Sequence, residues 1–535
     1  MKQKTDAAID SKQQIDWGIT IFPLVAILAL AGMLMLFPDS ATQILGSLKS
    51  FLVNDLGFLY MIFGLGVLLI SLYIAFSKYG NIKLGNLEKP RHSNFSWGAM
   101  IFTSTMAADI LFYSLIEWGF YYNAHPFGIE ALTVAQRQDY ASMFPLFHWG
   151  PIAWGFYILP AAAYGYMMYV KKSHKQRMSE ACRPIFGKKV DGPLGKVIDI
   201  FAIVGLLAAT ATTFAVATPL LSGAFCSLTG MDASPIVDIC ILAFIALVFT
   251  LAVLFGIKGI SKLATVCIVL FFVLLAIFFF CGPTRYIIES GITGLGGVAN
   301  NFISMATWMD PLRLSGDGNT GFPQDWTVFY WAYWISWSVA TPFFIGKISE
   351  GRTIRQTIIG AYISGVSATF LSFIVFGNYG LYQQTHGVID PAGILAAGGK
   401  PAEAILQIFG TLPWPKIGMI VLVLAMISFY ASTFDALTLV ISSYSVKNIK
   451  SDEEPSKQLR IFWCIVFIVL PTALLFNEST LSLLQTLSIC AALPIMIIIG
   501  LIIAGFIKDL RSWRKESVET TVEKVVIVAD KVLEE

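Results

Sequence analysis

Long apolar runs separated by short polar stretches set the pattern of the chain. They cover residues 17–37, 54–77, 97–122, 142–169, 194–223, 235–256, 263–282, 325–346, 355–378, 413–443, 459–476 and 482–507. Each is long enough as a helix to cross ~30 Å of hydrocarbon, so the pattern predicts twelve transmembrane helices. Assigning alternate connections to opposite sides puts 30 of the 36 Lys and Arg on the side of both termini. The other 6 (Lys49, Arg137, Arg285, Arg313, Lys400 and Lys416) fall on the far side. Positive charge accumulates on the cytoplasmic side, so both termini are expected in the cytoplasm of a multi-pass protein of the cell membrane.

Three connections are more than turns. Residues 284–310 carry spaced apolar residues with intervening Gly and Asn, the pattern of a helix lying along the outer surface. Residues 379–412 are rich in Gly and Pro and read as an outer loop, whereas 170–193 is the most basic inner loop. The tail after Lys515 has six acids against two lysines and reads as a short helix or a disordered segment.

Composition narrows the class. Hydrophobic residues make up 56% of the 535 and charged residues 13%, with a mean hydropathy of +0.71. Soluble domains carry about a quarter charged residues, so this is a polytopic helical membrane protein with lipid as its surroundings. A net charge of +2 gives no basic stripe for nucleic acid. The seven cysteines lie mostly inside apolar runs without CxxC pairing, which suits small buried hydrophobes rather than a metal site or disulfides. The first sixteen residues are polar and lack a short apolar core ending in a cleavage site, so no cleaved signal peptide is expected. The five histidines are scattered, against an enzyme with a clustered metal or acid–base pair, and no ring of charge or large soluble domain points to a channel or sensor.

The chemistry lies in the aromatic residues. The stretch Asp325–Arg355 (DWTVFYWAYWISWSVATPFFIGKISEGRTIR) places Trp326, Tyr330, Trp331, Tyr333, Trp334 and Trp337 in one apolar run broken by Pro342. Helix four (SMFPLFHWGPIAWGFYILP) adds Trp149, Trp154 and Tyr157 at i, i+5 and i+8. At ~100° per residue these lie about 140° and about 80° from the first, a broad concave face if Gly150 and Pro151 bend the helix. Any single ring could simply pack against a neighbouring helix. Aromatic residues concentrated at mid-depth beside helix breakers in two helices point instead to a cavity holding a cation by cation–π attraction.

On FHWGPIAW and GFY in helix four, and FPQDWTVFYWAYWISW followed by KISEGRTIR in helix eight, the chain resembles the betaine/carnitine/choline transporters. The likeness runs from helix three through helix ten. It implies an all-α LeuT-type fold of two inverted five-helix repeats preceded by two extra helices. The expected organisation is a tail at 1–16, two helices at 17–96, a first repeat at 97–282, an outer helix and loop at 283–324, a second repeat at 325–507 and a tail at 508–535. It also implies import of a quaternary ammonium compound such as choline, carnitine or a betaine by ion-coupled alternating access. The cage would be Trp149, Trp154, Tyr157 and Trp334, with Tyr333, Trp337 and Trp331 nearby. One departure stands out: the family pattern Trp-Ala-Trp-Trp reads Trp331-Ala332-Tyr333-Trp334 here. A homotrimer in membrane lipid follows from the resemblance alone, and no cofactor is implied. An exchanger of the carnitine/butyrobetaine type, or a carrier of another amine or amino acid on the same fold, remains the alternative.

Helix three (FTSTMAADILFYSLIEWGFYY) carries Asp109 mid-run and Glu117 eight residues on. A charge at such depth costs at least ~2.5–3.5 kcal/mol, so each carboxylate needs a partner, a wet cavity or a proton. For Glu117 a buried hydrogen-bonding role is expected; for Asp109, a functional one. The resemblance sets Asp109 where the sodium-coupled betaine branch has the last glycine of an unwound segment, as in the proton-coupled choline branch. Such a carboxylate balances a cation lacking its own carboxylate, or takes up a proton. By the same resemblance Ser432 and Thr433, with helix-three backbone near Met106, match a sodium site, although membrane Ser and Thr commonly bond their own helix. A second sodium site is lost, because Thr210 matches one hydroxyl and Leu206 replaces the other. The charged and thioether groups of the sodium-independent exchangers fall on Cys267 and Thr341, which supply neither. The coupling ion is Na+ or H+, with His148 a lesser relay for the proton.

Overall fold

The computed structural model describes residues 14–104, 108–129, 131–173, 175–254, 260–316, 318–447, 449, 453–476 and 481–534. Among them the secondary structure is helical apart from two isolated bridges, Ile15 with Val446 and Lys83 with Thr353. The first apolar run forms α1 (Trp17–Leu36). Pro38 then opens α2 (Pro38–Ser50), and a π-turn at Phe51–Asp55 leads into α3 (Gly57–Phe76). A proline at the first helical position lacks only an N–H that would go unpaired, and Pro151, Pro193, Pro401 and Pro415 open later helices in the same way.

The third run is two helices, α4 (Asn94–Ser104) and α5 (Ala108–Tyr122), bent by 67°. The fourth is divided as well. α6 (Val134–His148) starts at a capping box between Thr133 and Gln136, and α7 (Pro151–Tyr169) follows a break at Trp149 and Gly150. The short helices α8 (Met178–Ala181) and α9 (Arg183–Phe186) occupy the basic connection. Its charge is largely paired: Arg183 bonds Glu180 and Asp191, and this guanidinium holds the Asp191 carboxyl down to about 2.

Three long helices follow, α10 (Pro193–Thr229), α11 (Pro235–Leu254) and α12 (Ile260–Phe280). The predicted outer helix is α13 (Thr284–Thr307), turned by 104° from the helix before it. The eighth run opens with a π-turn at Pro323–Thr327 and is split into α14 (Val328–Trp337) and α15 (Thr341–Ile348). Next come α16 (Ile354–Ser372), a π-turn at Phe373–Gly377 and α17 (Asn378–Thr385). The region 379–412 is not simply a loop. Asp390 caps α18 (Pro391–Ala396) and Pro401 starts α19 (Pro401–Gly410), so its Gly and Pro residues separate short helices. The chain ends with α20 (Pro415–Tyr444), α21 (Lys457–Phe476) and α22 (Leu481–Glu534), the last carrying helix into the acidic tail.

Among the described residues, seven helices are long and apolar enough to cross a membrane, nine if each of two bent pairs counts as one span. Of the three other predicted runs, 142–169 and 325–346 are interrupted mid-way and 235–256 forms α11, a shorter apolar helix. Broken backbone in an apolar bundle is tolerated only where protein or a cavity surrounds it, so the breaks point to the site.

Two contacts fix the broken halves. Gly346 of α15 lies against α7, where an added Cβ would stand 2.8 Å from the Ala161 carbonyl oxygen and 3.0 Å from the Gly165 nitrogen. Tyr164 and Phe343 stack across the same contact at 3.7 Å. Small residues that let backbones touch are what hold helices together in lipid, where apolar burial gives no net drive. Gly346→Val is therefore expected to abolish a monodisperse peak in detergent size-exclusion chromatography, whereas Gly296→Val, at a glycine with open space around it, leaves that peak intact. At the far end of α15, the Arg352 guanidinium sits 4.2 Å over the Trp97 ring and donates to Asn94 Oδ1 at 2.7 Å, tying α4 to the turn that follows.

Candidate functional site

The breaks in the fourth and eighth runs meet. Trp149 lies in the gap before Pro151, Trp154 and Tyr157 lie one and two turns into α7, and Trp334 faces them from α14. The Trp334 ring centroid is 5.4 Å from Trp149, 5.6 Å from Trp154 and 4.8 Å from Tyr157, with ring planes inclined by 70°, 55° and 46°. Trp154 and Tyr157 stand edge to face at 6.0 Å. Trp334 is thus the shared neighbour of three inclined rings, all of them buried. The inclined rings pack directly on one another, so π-faces from two interrupted helices meet at one place in the bundle.

Two rings are tethered and one is not. Trp149 Nε1 donates to Glu117 Oε2 at 2.7 Å, and Trp154 Nε1 to Thr369 Oγ1 at 3.3 Å. The Thr369 hydroxyl in turn donates to the Trp149 carbonyl at 2.7 Å, holding the backbone at the break. The indole N–H of Trp334 is buried and has no hydrogen-bond partner among the described residues. Gly365 of α16 makes room for Trp154, since a Cβ there would meet the indole at 2.5 Å.

Asp109 stands in the first turn of α5 and is 6% exposed. Its Oδ1 accepts the Ile110 N–H at 3.0 Å and its Oδ2 the Tyr333 hydroxyl at 2.5 Å. Thr213 of α10 also hydrogen-bonds that hydroxyl. Tyr333, where the resembled pattern has tryptophan, and Asp109, where its sodium-coupled branch has glycine, are therefore bonded to each other. A tryptophan at 333 would have no hydroxyl to offer, so the tyrosine answers the carboxylate as well as supplying a π-face.

Tyr113 joins the two groups. One turn beyond Asp109, its ring lies 5.8 Å from Trp149 and 6.1 Å from Tyr333, and its buried hydroxyl has no hydrogen-bond partner. The i+4 spacing from Asp109 is the signal that could have found it. Phe373, in the π-turn after α16, packs 5.0 Å from Trp149 and carried no such signal.

The remaining predicted residues lie elsewhere. Trp331 packs instead on Phe147, His148 and Phe156. Trp337, at the end of α14, is half-buried and makes no ring contact with the four cage residues. Ser432 donates to the Phe429 carbonyl of its own helix at 2.9 Å, with Cys267 Sγ 4.0 Å away. Thr433 follows it on α20, half-buried. Met106 lies outside the described residues. His148 is fully buried beside Glu117.

Apolar helices in this number, interrupted around a buried polar and aromatic site, define an integral membrane protein. Residues 18–515 match the family model of the betaine/carnitine/choline family transporters, and the chain belongs to that family. It is a transporter, not an enzyme. Similar proteins include a carnitine transporter of Acinetobacter baumannii, 30% identical over 84% of this chain and 80% of its own length. A glycine betaine transporter of Bacillus subtilis is also 30% identical, over 93% and 95%. A high-affinity choline transport protein of Escherichia coli is 29% identical, over 90% of this chain and 70% of its own.

Proposed function

We propose that the chain is a secondary transporter that imports a quaternary ammonium compound, with choline favoured over carnitine and betaine. The observation carrying this reading is the convergence of Trp149, Trp154 and Tyr157 on Trp334. Each cation–π contact contributes about 0.5–2 kcal/mol, so four rings around one methylated nitrogen together supply about 2–8 kcal/mol, most of what millimolar to micromolar affinity needs. Asp109 adds the choice among substrates. Choline carries a net positive charge and no carboxylate, so an anion beside the cage attracts it, whereas betaine and carnitine bring their own carboxylate and are repelled unless Asp109 is protonated.

In this reading the chain has twelve spans, and helices three to seven and eight to twelve form two inverted repeats that rock around the site. Both termini lie in the cytoplasm, and the protein works as a homotrimer in the cell membrane. The coupling ion is a proton, and Asp109 acts as the ionised counter-charge of choline. A sodium ion at Ser432 and Thr433 is the lesser choice, because the Ser432 hydroxyl is already engaged by its own helix.

Reconstitution in liposomes tests this directly. With choline, carnitine and glycine betaine offered under separate proton and sodium gradients, choline is expected to accumulate to the greatest extent, driven by the proton gradient. Accumulation of none of the three would remove the substrate class, and accumulation of choline by sodium alone would remove the proton coupling.

A further inference from the structure

Glu117 has no part in the cage itself, yet it is completely buried and bound by more partners than structural support requires. Its Oε2 accepts the Trp149 indole N–H at 2.7 Å, and its Oε1 accepts the Tyr121 hydroxyl at 2.8 Å. His148 Nδ1 lies 2.9 Å from that hydroxyl and 3.4 Å from Oε1, while Nε2 lies 3.1 Å from the Thr327 hydroxyl. Glu117 and His148 are both 0% exposed. With Glu117 as a carboxylate every group is satisfied: Nδ1–H donates to the tyrosine oxygen, the tyrosine and indole protons go to the carboxylate, and Thr327 donates to Nε2. That arrangement sets an acidic side chain directly behind Trp149.

We propose that Glu117 is a positioning residue that turns and charges the cage through Trp149. The inference rests on the cage reading above and names what regulates its affinity. A hydrogen bond from an indole N–H to a carboxylate fixes the ring's rotation about its side-chain bonds. The backbone of Trp149 is held at the helix break by the Pro145 carbonyl and the Thr369 hydroxyl, and the carboxylate adds the constraint on the ring itself. The same bond pushes electron density into the indole and so strengthens the attraction of its face for a cation. A substrate cation in the cage then stands across one ring from a buried carboxylate and supplies the counter-charge that neutral donors alone do not give. Glu117 touches no substrate; it acts through Trp149.

The test uses the full chain in liposomes with choline as the probe, comparing Glu117→Gln, Trp149→Phe and the double variant. Gln is nearly isosteric and removes only the charge. Glu117→Gln is expected to raise the choline KM about fivefold to tenfold, as loss of about 1 kcal/mol or slightly more implies. Its maximal rate should stay within about twofold of native. Added to Trp149→Phe, which has no indole N–H, it should change KM by less than about twofold. A residue that only stabilises the fold would lower the maximal rate and multiply with Trp149→Phe. An unchanged KM in Glu117→Gln, or effects that multiply, overturns the proposal. Should Glu117→Gln fail to elute as a folded peak, Glu117→Asp serves, since it keeps the charge but withdraws it from the indole; here too an unchanged KM is the overturning result. Trp149→Phe alone separates the two levels. If it leaves choline KM at the native value, the cage reading falls and this proposal with it; if it raises KM and Glu117→Gln does not, only the proposal falls.

Discussion

Trp334→Ala is expected to cut choline uptake by about 100-fold or more while the protein inserts and elutes normally. The size follows from what the ring touches. In the proposed cage Trp334 would give the substrate one cation–π contact of about 0.5–2 kcal/mol, and it is the common neighbour of Trp149, Trp154 and Tyr157, each such aromatic pair being worth about 0.5–1.5 kcal/mol. Truncation removes the contact and leaves three rings without the surface that sets their inclination. Trp334→Phe keeps a smaller π-face and should lose about tenfold or less. Trp337→Ala is the internal comparison, because that ring lies on the same helix but outside the cluster, and it should stay within about threefold of native. Uptake in reconstituted vesicles, normalised to inserted protein, decides the matter. Equal losses for Trp334→Ala and Trp334→Phe, or a Trp337→Ala defect as large, would mean that bulk rather than a π-surface is what matters there.

Why these rings could be found in the sequence, and others not, has a physical reason. Gly150-Pro151 and Pro342 interrupt apolar runs that otherwise make continuous helices, and interrupted helices leave backbone groups that must face protein or a cavity. The rings flanking those breaks were therefore legible as candidates, and Trp149, Trp154, Tyr157 and Trp334 do meet. Which side of α14 each ring takes was not legible. Trp331 and Trp334 are three residues apart, about 300° around a helix, and only the packing of α14 against α7 and α3 sends the first to Phe147 and Phe156 and the second to Trp149. Glu117 was expected to be a buried hydrogen-bonding group, and it is one, but its partner Trp149 is 32 residues away and known only once α5 and α6 pack together. The tie between Asp109 and Tyr333 spans 224 residues and was hidden for the same reason, although each stood out alone as a departure from the family's pattern. Short helices fared worst. Proline and glycine in 379–412 suggested a loop, yet proline at a first turn starts a helix as readily as it ends one, which is how α18 and α19 arise.

The second large effect is a change of preference rather than a loss. Asp109→Asn keeps the size of the side chain, and with its oxygen accepting the Ile110 N–H and its NH2 donating to the Tyr333 oxygen both local contacts can persist. It removes the charge. Opposite unit charges about 6 Å apart, at an effective dielectric of about 20, attract by roughly 2–3 kcal/mol. Choline has no anion of its own and loses that whole term, so its uptake should fall by about 30-fold or more. Glycine betaine feels the same carboxylate at both of its ends, attraction at the ammonium opposed by repulsion at the carboxylate, and the two nearly cancel. Its uptake by Asp109→Asn should stay within about threefold of native or rise, and the choline-to-betaine ratio measured in one vesicle preparation should drop by at least about tenfold. Tyr333→Phe, which leaves the charge but withdraws its hydroxyl partner, should move the ratio much less. A ratio that stays at the native value in Asp109→Asn would show that the carboxylate is only a helix-end acceptor for the Ile110 N–H, and selection among these substrates would then have to come from the rings alone.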